Sequence, residues 1–204
     1  SGAGRSAQIV TGAVIDAQHQ LLALVDLGWD GVRVEAPARM LALDGSLTST
    51  VRYSRVIVPD ARVLRGPVAD ASATSRGAGS GGLHTSALAL GLAREASRYV
   101  SAEARSRPAL APHAKALSLE VDGAIERLLG IARGDEDLSD RAALRSHSNA
   151  LVERCTTAAL ITAKGAGFVA GHHVGRLCRE ALFFRVWSAP NEVRESDLTR
   201  LAEG

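Results

Sequence analysis

Aromatic side chains are scarce in this sequence, at 3% of its residues. A surface that stacks on unpaired bases needs several of them, so stacking-based nucleic-acid binding is not expected. A charge of one sign is also lacking. Charged residues make up 23% of the chain and the net charge is +2, which leaves no basic stripe for a phosphate backbone. No apolar run reaches the roughly 18 residues of a membrane span. The opening Ser1-Gly2-Ala3-Gly4-Arg5 has no apolar core of the signal-peptide kind. The two cysteines, Cys155 and Cys178, fall in separate helical patterns and read as reduced and buried in a cytoplasmic protein. What the chain does have is Ala, Leu and Val, and its Ala- and Arg-rich usage points to a bacterial source.

The first third reads as strand. Gln8-Ile9-Val10-Thr11-Gly12-Ala13-Val14 is short and β-branched, Leu21 to Val25 is a continuous apolar run, and Gly28-Trp29-Asp30-Gly31 is a turn signal. Residues 31–35 and 49–58 alternate with period two, and Pro59-Asp60 stops the second run. Residues 71–82 are a small-residue linker rich in Gly and Ser. Beyond it the period becomes helical. One helix is expected over 83–105, broken by Pro108 and Pro112. A second carries the stripe Leu117, Val121, Ala124, Ile125, Leu128 and Leu129. A third covers about 139–164 and ends at Gly165-Ala166-Gly167, a fourth covers 174–186, and a short last one covers 192–201. The expected fold is α+β: a partial β-barrel or sheet domain over 1–70, the linker, then an up-down four-helix bundle over 83–204.

Several motifs in this order resemble the acyl-CoA dehydrogenase family. Tyr53-Ser54-Arg55-Val56-Ile57-Val58-Pro59-Asp60-Ala61-Arg62-Val63-Leu64 resembles the end of that family's middle β-domain, where a strand closes in V-P with N-V-L following. Ser46-Leu47-Thr48 resembles its S-x-T, and Ile9-Val10-Thr11-Gly12 its W-I-T-N strand. Gly165-Ala166-Gly167-Phe168 with Arg176 to Ala181 resembles G-G-x-G-Y…E-R-x-x-R-D-A. The resemblance implies a flavoenzyme with FAD between β-domain and bundle, completed by a neighbouring subunit. Thr11, Ser46, Thr48, Arg105, Gly165 and Gly167 are the cofactor-contact residues that it implies. A glutamate would take the α-proton of an acyl thioester while hydride leaves for the flavin. That step needs a desolvated, aimed carboxylate and donors for the thioester oxygen.

The sequence departs from the pattern where the chemistry sits. Trp187-Ser188-Ala189-Pro190 stands where the family has Y-E-G-T, so Ser188 occupies the base position. A serine is no carboxylate base without an activating partner. The alternative base position falls near Gly81 or Gly82, which have no side chain. Of the R-x-x-F-G…F-Q that grips FAD, Arg105 or Arg107 matches the Arg, and Ala114 follows His113 where Gln is expected. Only about eight residues precede the W-I-T-like strand, so the chain is a fragment or a natural half-length member, Ser1 suiting a removed initiator Met.

Other candidates have plainer readings beside the functional ones. Thr11 is a flavin contact or an ordinary strand residue. Gly165 and Gly167 allow close backbone approach or end a helix. Arg179 holds a phosphate or, more simply, a structural ion pair. His172-His173 point apart on a helix, with no ligand at metal spacing. His84, Ser86 and Ser188 make a nucleophile and base only if the fold unites them. Phe183, Phe184 and Trp187 read as core or subunit interface, with a pocket wall the second reading, and Glu120, Asp122 and Glu126 as a solvated face, where one facing the bundle interior would be a candidate acid or base. Three functions follow: an FAD-dependent desaturase subunit whose partner chain supplies the N-terminal domain and the base; a flavin-free member binding a thioester or polyketide-like substrate in a specialised pathway; or a non-catalytic oligomeric scaffold. Each is expected to be at least a homo-oligomer.

Overall fold

The computed structural model describes residues 2–69, 71, 83–135, 141–187 and 191–203. The chain divides into two compact units, Ser1–Gly79 and Ser80–Gly204.

Among the described residues the first unit holds five strands in two small sheets. β1 (Gln8–Val14), β2 (Gln20–Asp26) and β5 (Val63–Val68) form an antiparallel sheet in the order β1-β2-β5, and β3 (Val32–Val34) pairs with β4 (Val51–Tyr53). β1 and β2 pair without interruption from Gln8↔Asp26 to Val14↔Gln20. Alternation along β2 puts Ala23 and Val25 inside, where both are 2% exposed. The turn signal at Gly28–Gly31 is real. Gly31 takes φ 84°, and a side chain there would run into the Ser54 carbonyl.

Two strand expectations change. The run 49–58 yields only Val51–Tyr53, because Arg55 turns left-handed at φ 53° and breaks the ladder. The strand Val63–Val68 was missed because Gly66-Pro67 reads as a breaker, whereas β5 lies at a sheet edge, where a proline costs no ladder bond.

The second unit is a helical bundle: α1 (Leu83–Ala104), α2 (Ala111–Arg133), α3 (Arg141–Ala163), α4 (His173–Val186) and α5 (Asn191–Glu203). Pro112 does not break a helix. It lies in the first turn of α2, where a missing N–H costs nothing, so that helix begins six residues before Leu117. Gly134 closes α2 in the left-handed conformation at φ 87°.

α3 is the hub and packs against α1, α2, α4 and α5. Its buried set, Leu144, Ser148, Leu151, Val152, Cys155, Thr156, Ala159 and Thr162, wraps more than one face. α1 meets it with Ala89, Ala93, Ala96 and Val100, spaced i, i+4, i+7, i+11. These small side chains let the two helix axes approach closely. Two of the buried hydroxyls are bonded within the helix: Ser148 to the Leu144 carbonyl at 2.7 Å and Thr156 to that of Val152 at 2.9 Å.

Candidate functional site

In the sheet unit the candidate residues fall in two places. Thr11 lies mid-way along β1, half-buried, opposite Ala23. It lines a groove of about 340 Å³ with Gly12, Ala23, Val25, Tyr53 and Val56. Among the described residues no protein group bonds its hydroxyl. Ser46 and Thr48 face each other instead, with their hydroxyls 2.8 Å apart. They flank Leu47, which is left-handed at φ 47°. The Gly2 N–H ties that bend down by donating to the Ser46 and Leu47 carbonyls at 2.8 and 3.2 Å.

In the bundle, Arg105 follows the end of α1, exposed, and donates only to the Ala102 carbonyl at 3.5 Å. It borders a shallow depression with Glu95, Arg98, Tyr99 and Ser101. Arg107 is committed elsewhere, to Glu103 and to the Thr162 carbonyl at 2.9 Å, which closes the end of α3. Gly165 and Gly167 lie in a 3₁₀ turn, Lys164–Phe168. The left-handed residue that ends α3 is Lys164, φ 56°, and not a glycine. Gly165 is open to solvent. Gly167 is buried, and a Cβ there would stand 2.6 Å from Leu160 Cδ1. A Cβ on Gly175 would meet the Gly167 carbonyl at 2.6 Å, so the turn and α4 touch backbone to backbone.

The remaining candidates resolve into structure. Arg179 donates to the Gly175 carbonyl at 3.0 Å and pairs with no carboxylate among the described residues. The ion pair expected of it belongs to Arg176, 3.7 Å from Glu180. The His172 ring caps α4 by accepting from the Val174 N–H at 3.2 Å, and His173 meets Glu95 at 3.1 Å. Among the described residues no His, Cys, Asp and Glu group could hold a metal. Glu120 pairs with Arg154, and Asp122 with Arg94 at 3.3 Å, while Glu126 is exposed. His84 is exposed and Ser86 is buried on α1. Ser188, Gly81 and Gly82 lie outside the described residues. Phe184 is buried, whereas Trp187 is exposed and lies against Phe183 with ring centroids 4.8 Å apart. Among the described residues no helix is long and apolar enough to cross a membrane.

A polar network that the sequence reading missed joins α3, α4 and α5. Arg145 is fully buried. Its Nε donates to Asn149 Oδ1 at 3.1 Å, and its Nη2 donates to the carbonyls of Phe184 and Trp187 at 2.9 and 3.0 Å. Asn149 passes the chain on by donating to Asp197 Oδ2 at 3.0 Å, and the Ser146 hydroxyl donates to Asp197 Oδ1 at 2.8 Å. Arg185 Nη1 stands 2.9 Å from Asp197 Oδ2, an ion pair without hydrogen-bond alignment, while its Nε and Nη2 grip Glu153. Burial pushes the Asp197 carboxyl up. The hydrogen bonds from Asn149 and Ser146 and the Arg185 charge outweigh it, so Asp197 titrates below the usual carboxylate range. Burial lowers Arg145, against the raising pull of Asp197. No local pattern marked it: Arg145 and Asn149 stand with Ser146, His147 and Ser148 on a helix that mixes polar and apolar residues.

No protein-family model matches this sequence, and no curated protein does. Solved structures do match. Butyryl-CoA dehydrogenase from Megasphaera elsdenii superposes with a TM-score of 0.76 at 15% identity, over 100% of this chain and 58% of that one. FkbI, described for biosynthesis of the methoxymalonyl extender unit of the Fk520 polyketide, superposes at 0.79 and 18%, over 100% and 60%. An acyl-CoA dehydrogenase complexed with FAD from Bacillus anthracis gives 0.78 and 14%, over 99% and 41%. The chain has the acyl-CoA dehydrogenase fold. It spans less than two thirds of the length of each of these structures. The strands and the bundle are thus the matched part of an acyl-CoA dehydrogenase-like architecture.

Proposed function

We propose that this chain is the bundle-bearing part of a flavin-dependent acyl thioester dehydrogenase, completed by polypeptide that supplies the rest of the fold and the catalytic carboxylate. The observation that carries the reading is the match of the whole chain, strands and helices together, to structures such as the FAD-complexed acyl-CoA dehydrogenase. FAD, when bound, supplies the hydride acceptor. The donor chemistry present fits such a group in part. Thr11 offers a half-buried hydroxyl with no protein partner, Ser46 and Thr48 offer a hydroxyl pair at a bend, and Arg105 offers an uncommitted guanidinium fork. Gly165 keeps the α3–α4 turn open on its solvent side, while Gly167 lets that turn pack against Leu160. Ser188 has no carboxylate to serve as base, which is why the reading requires a partner. A cytoplasmic homo- or hetero-oligomer acting on an acyl thioester is the setting proposed.

The test is an absorbance spectrum of the purified protein with and without added FAD. Co-purifying flavin bands, and a fluorescent cofactor released on unfolding, are the expected result. A colourless protein that takes up no FAD, alone and with the completing polypeptide, sinks the proposal. The serine at position 188 and Ala114 in place of a Gln favour a second reading, a flavin-free protein that binds a thioester and shapes it by confinement, with the likeness to FkbI pointing to a specialised biosynthetic pathway. Uptake of an acyl thioester by a colourless protein would select it.

A further inference from the structure

Between α1 and α2 lies a hollow of about 280 Å³, lined by Arg94, Ser97, Arg98, Ser118, Val121 and Asp122. Each helix lends three residues at i, i+3, i+4, so one face of each borders the hollow. Ser97 meets Ser118 and Arg94 meets Asp122, which sets the two helices antiparallel. The floor is closed by Val121 and Ser97, 1% and 2% exposed. The two serine hydroxyls stand 3.0 Å apart. They carry two hydrogens and one bond joins them, so one hydrogen is left over. Elsewhere in the bundle a buried hydroxyl gives its hydrogen to its own helix, as those of Ser148 and Thr156 do. Among the described residues neither Ser97 nor Ser118 bonds a helix carbonyl, so the spare donor stays on the lining of the hollow. Charge is unbalanced there too. Arg94 and Asp122 neutralise each other at 3.3 Å, and Glu95, the carboxylate next to Arg94 on α1, is paired with His173. Arg98 is exposed and has no carboxylate partner among the described residues.

We propose that this hollow binds a phosphate group, free or as the monoester of a small molecule. Its lining holds donors in excess: the Arg98 fork, the spare serine hydroxyl, and those N–H groups of Arg94 that Asp122 does not take. A guanidinium fork matches two phosphate oxygens at once, and a hydroxyl can serve a third. A planar carboxylate has two oxygens, which the Arg98 fork alone would fill, leaving the hydroxyl on the floor without an acceptor. The buried floor also lowers the local dielectric, which strengthens the attraction between anion and guanidinium. An apolar ligand is disfavoured, because it would strip water from two guanidinium groups and return no hydrogen bond. None of the six residues is among those that the family resemblance implies for FAD contact, and the site is independent of the dehydrogenase reading.

The test is a two-dimensional amide NMR titration of the complete 204-residue chain with inorganic phosphate, at constant pH and ionic strength. Amides of residues 94–98 and 118–122 are expected to shift and to saturate at about millimolar phosphate, while sodium chloride leaves them in place. Arg98→Gln and Ser118→Ala should each weaken binding at least tenfold, the loss of one hydrogen bond to a charged group. Arg98 is exposed and Ser118 half-buried, so neither change opens the core, and the unshifted amides of α3 and α4 report that each variant is folded. Arg154→Gln, a surface arginine paired with Glu120 outside the hollow, should leave the affinity unchanged. Glycerol phosphate is the second ligand. Tighter binding of the ester places the phosphate on a small molecule, and tighter binding of inorganic phosphate makes the free ion the ligand; both keep the site. No saturation by about 50 mM phosphate overturns the proposal. So do shifts that chloride reproduces, an affinity that survives both variants, and acetate that binds as tightly as phosphate. Added FAD that displaces the phosphate would make the hollow part of a flavin site and overturns it as well. Phosphate bound by a colourless protein that takes up no FAD would keep the hollow and sink the dehydrogenase reading.

Discussion

Arg145 is a charge inside an apolar bundle, held there by what it closes. At the end of α4 the carbonyls of Phe184 and Trp187 both accept from the buried guanidinium. Arg145→Met removes the charge but leaves those carbonyls and Asn149 Oδ1 without donors. A loss of about 3–5 kcal/mol is expected, the range for breaking one partner of a buried network. Arg145→Lys keeps the charge but loses the planar fork and should recover only part of it. Urea unfolding of the three proteins checks the order. Asp197 adds a pH dependence. Its carboxyl is held below the ordinary value in the fold, so its contribution is complete above about pH 4, the unfolded carboxylate value, and is lost as pH falls through the folded one. Asp197→Asn should flatten that acid limb in thermal melts taken from neutral pH downward. An unchanged slope would mean that other groups carry it. Cys155 is 0% exposed, and burial pushes its thiol up to about 11, so it should stay unmodified by a thiolate-seeking reagent at neutral pH until the bundle is unfolded.

At the scale of elements, the junction of α3 and α4 is where backbone geometry decides the packing. Gly175→Ala would drive a methyl into the Gly167 carbonyl, and backbone cannot swing aside as a side chain can. A cost of about 1–3 kcal/mol is expected, against a change within about 0.5 kcal/mol for Gly165→Ala, whose surroundings are open. Equal melting temperatures for the two variants would disprove the close contact. The same junction shows what was legible in the sequence. The helices were readable because apolar residues recur at helical spacing, as at Leu117, Val121, Ala124 and Leu128. β1 was readable from a short β-branched run and β2 from a continuous apolar one. The 49–58 strand was cut short because alternation says nothing about the left-handed turn at Arg55. Gly175 and Arg145 were hidden for another reason. A close approach between two helices and a buried charge both depend on partners far away in sequence, and no local pattern names them. The site was legible only as scattered motif positions: the fold leaves Thr11 and Arg105 uncommitted, while Arg107 was already engaged with Thr162.

Across the whole molecule the two units have unequal means of support. Among the described residues of the first, the buried apolar ones are Ala3, Ala23, Val25 and Ala71, three of them with only a methyl to contribute. The bundle buries a continuous cluster from Leu90 and Val100 through Leu151 and Val152 to Leu177 and Phe184. At about 25 cal/mol per Å² of apolar surface removed from water, methyls alone cannot offset the backbone entropy of ordering a sheet of this length. The sheet unit of the isolated chain should therefore open at a lower free energy than the bundle. Limited proteolysis is expected to cut within residues 1–79 first and to leave a bundle-sized fragment, and α1 and α3 amides should exchange slowest of all. A bundle fragment cut as fast as the sheet, or sheet amides as slow as those of α3, would contradict the argument.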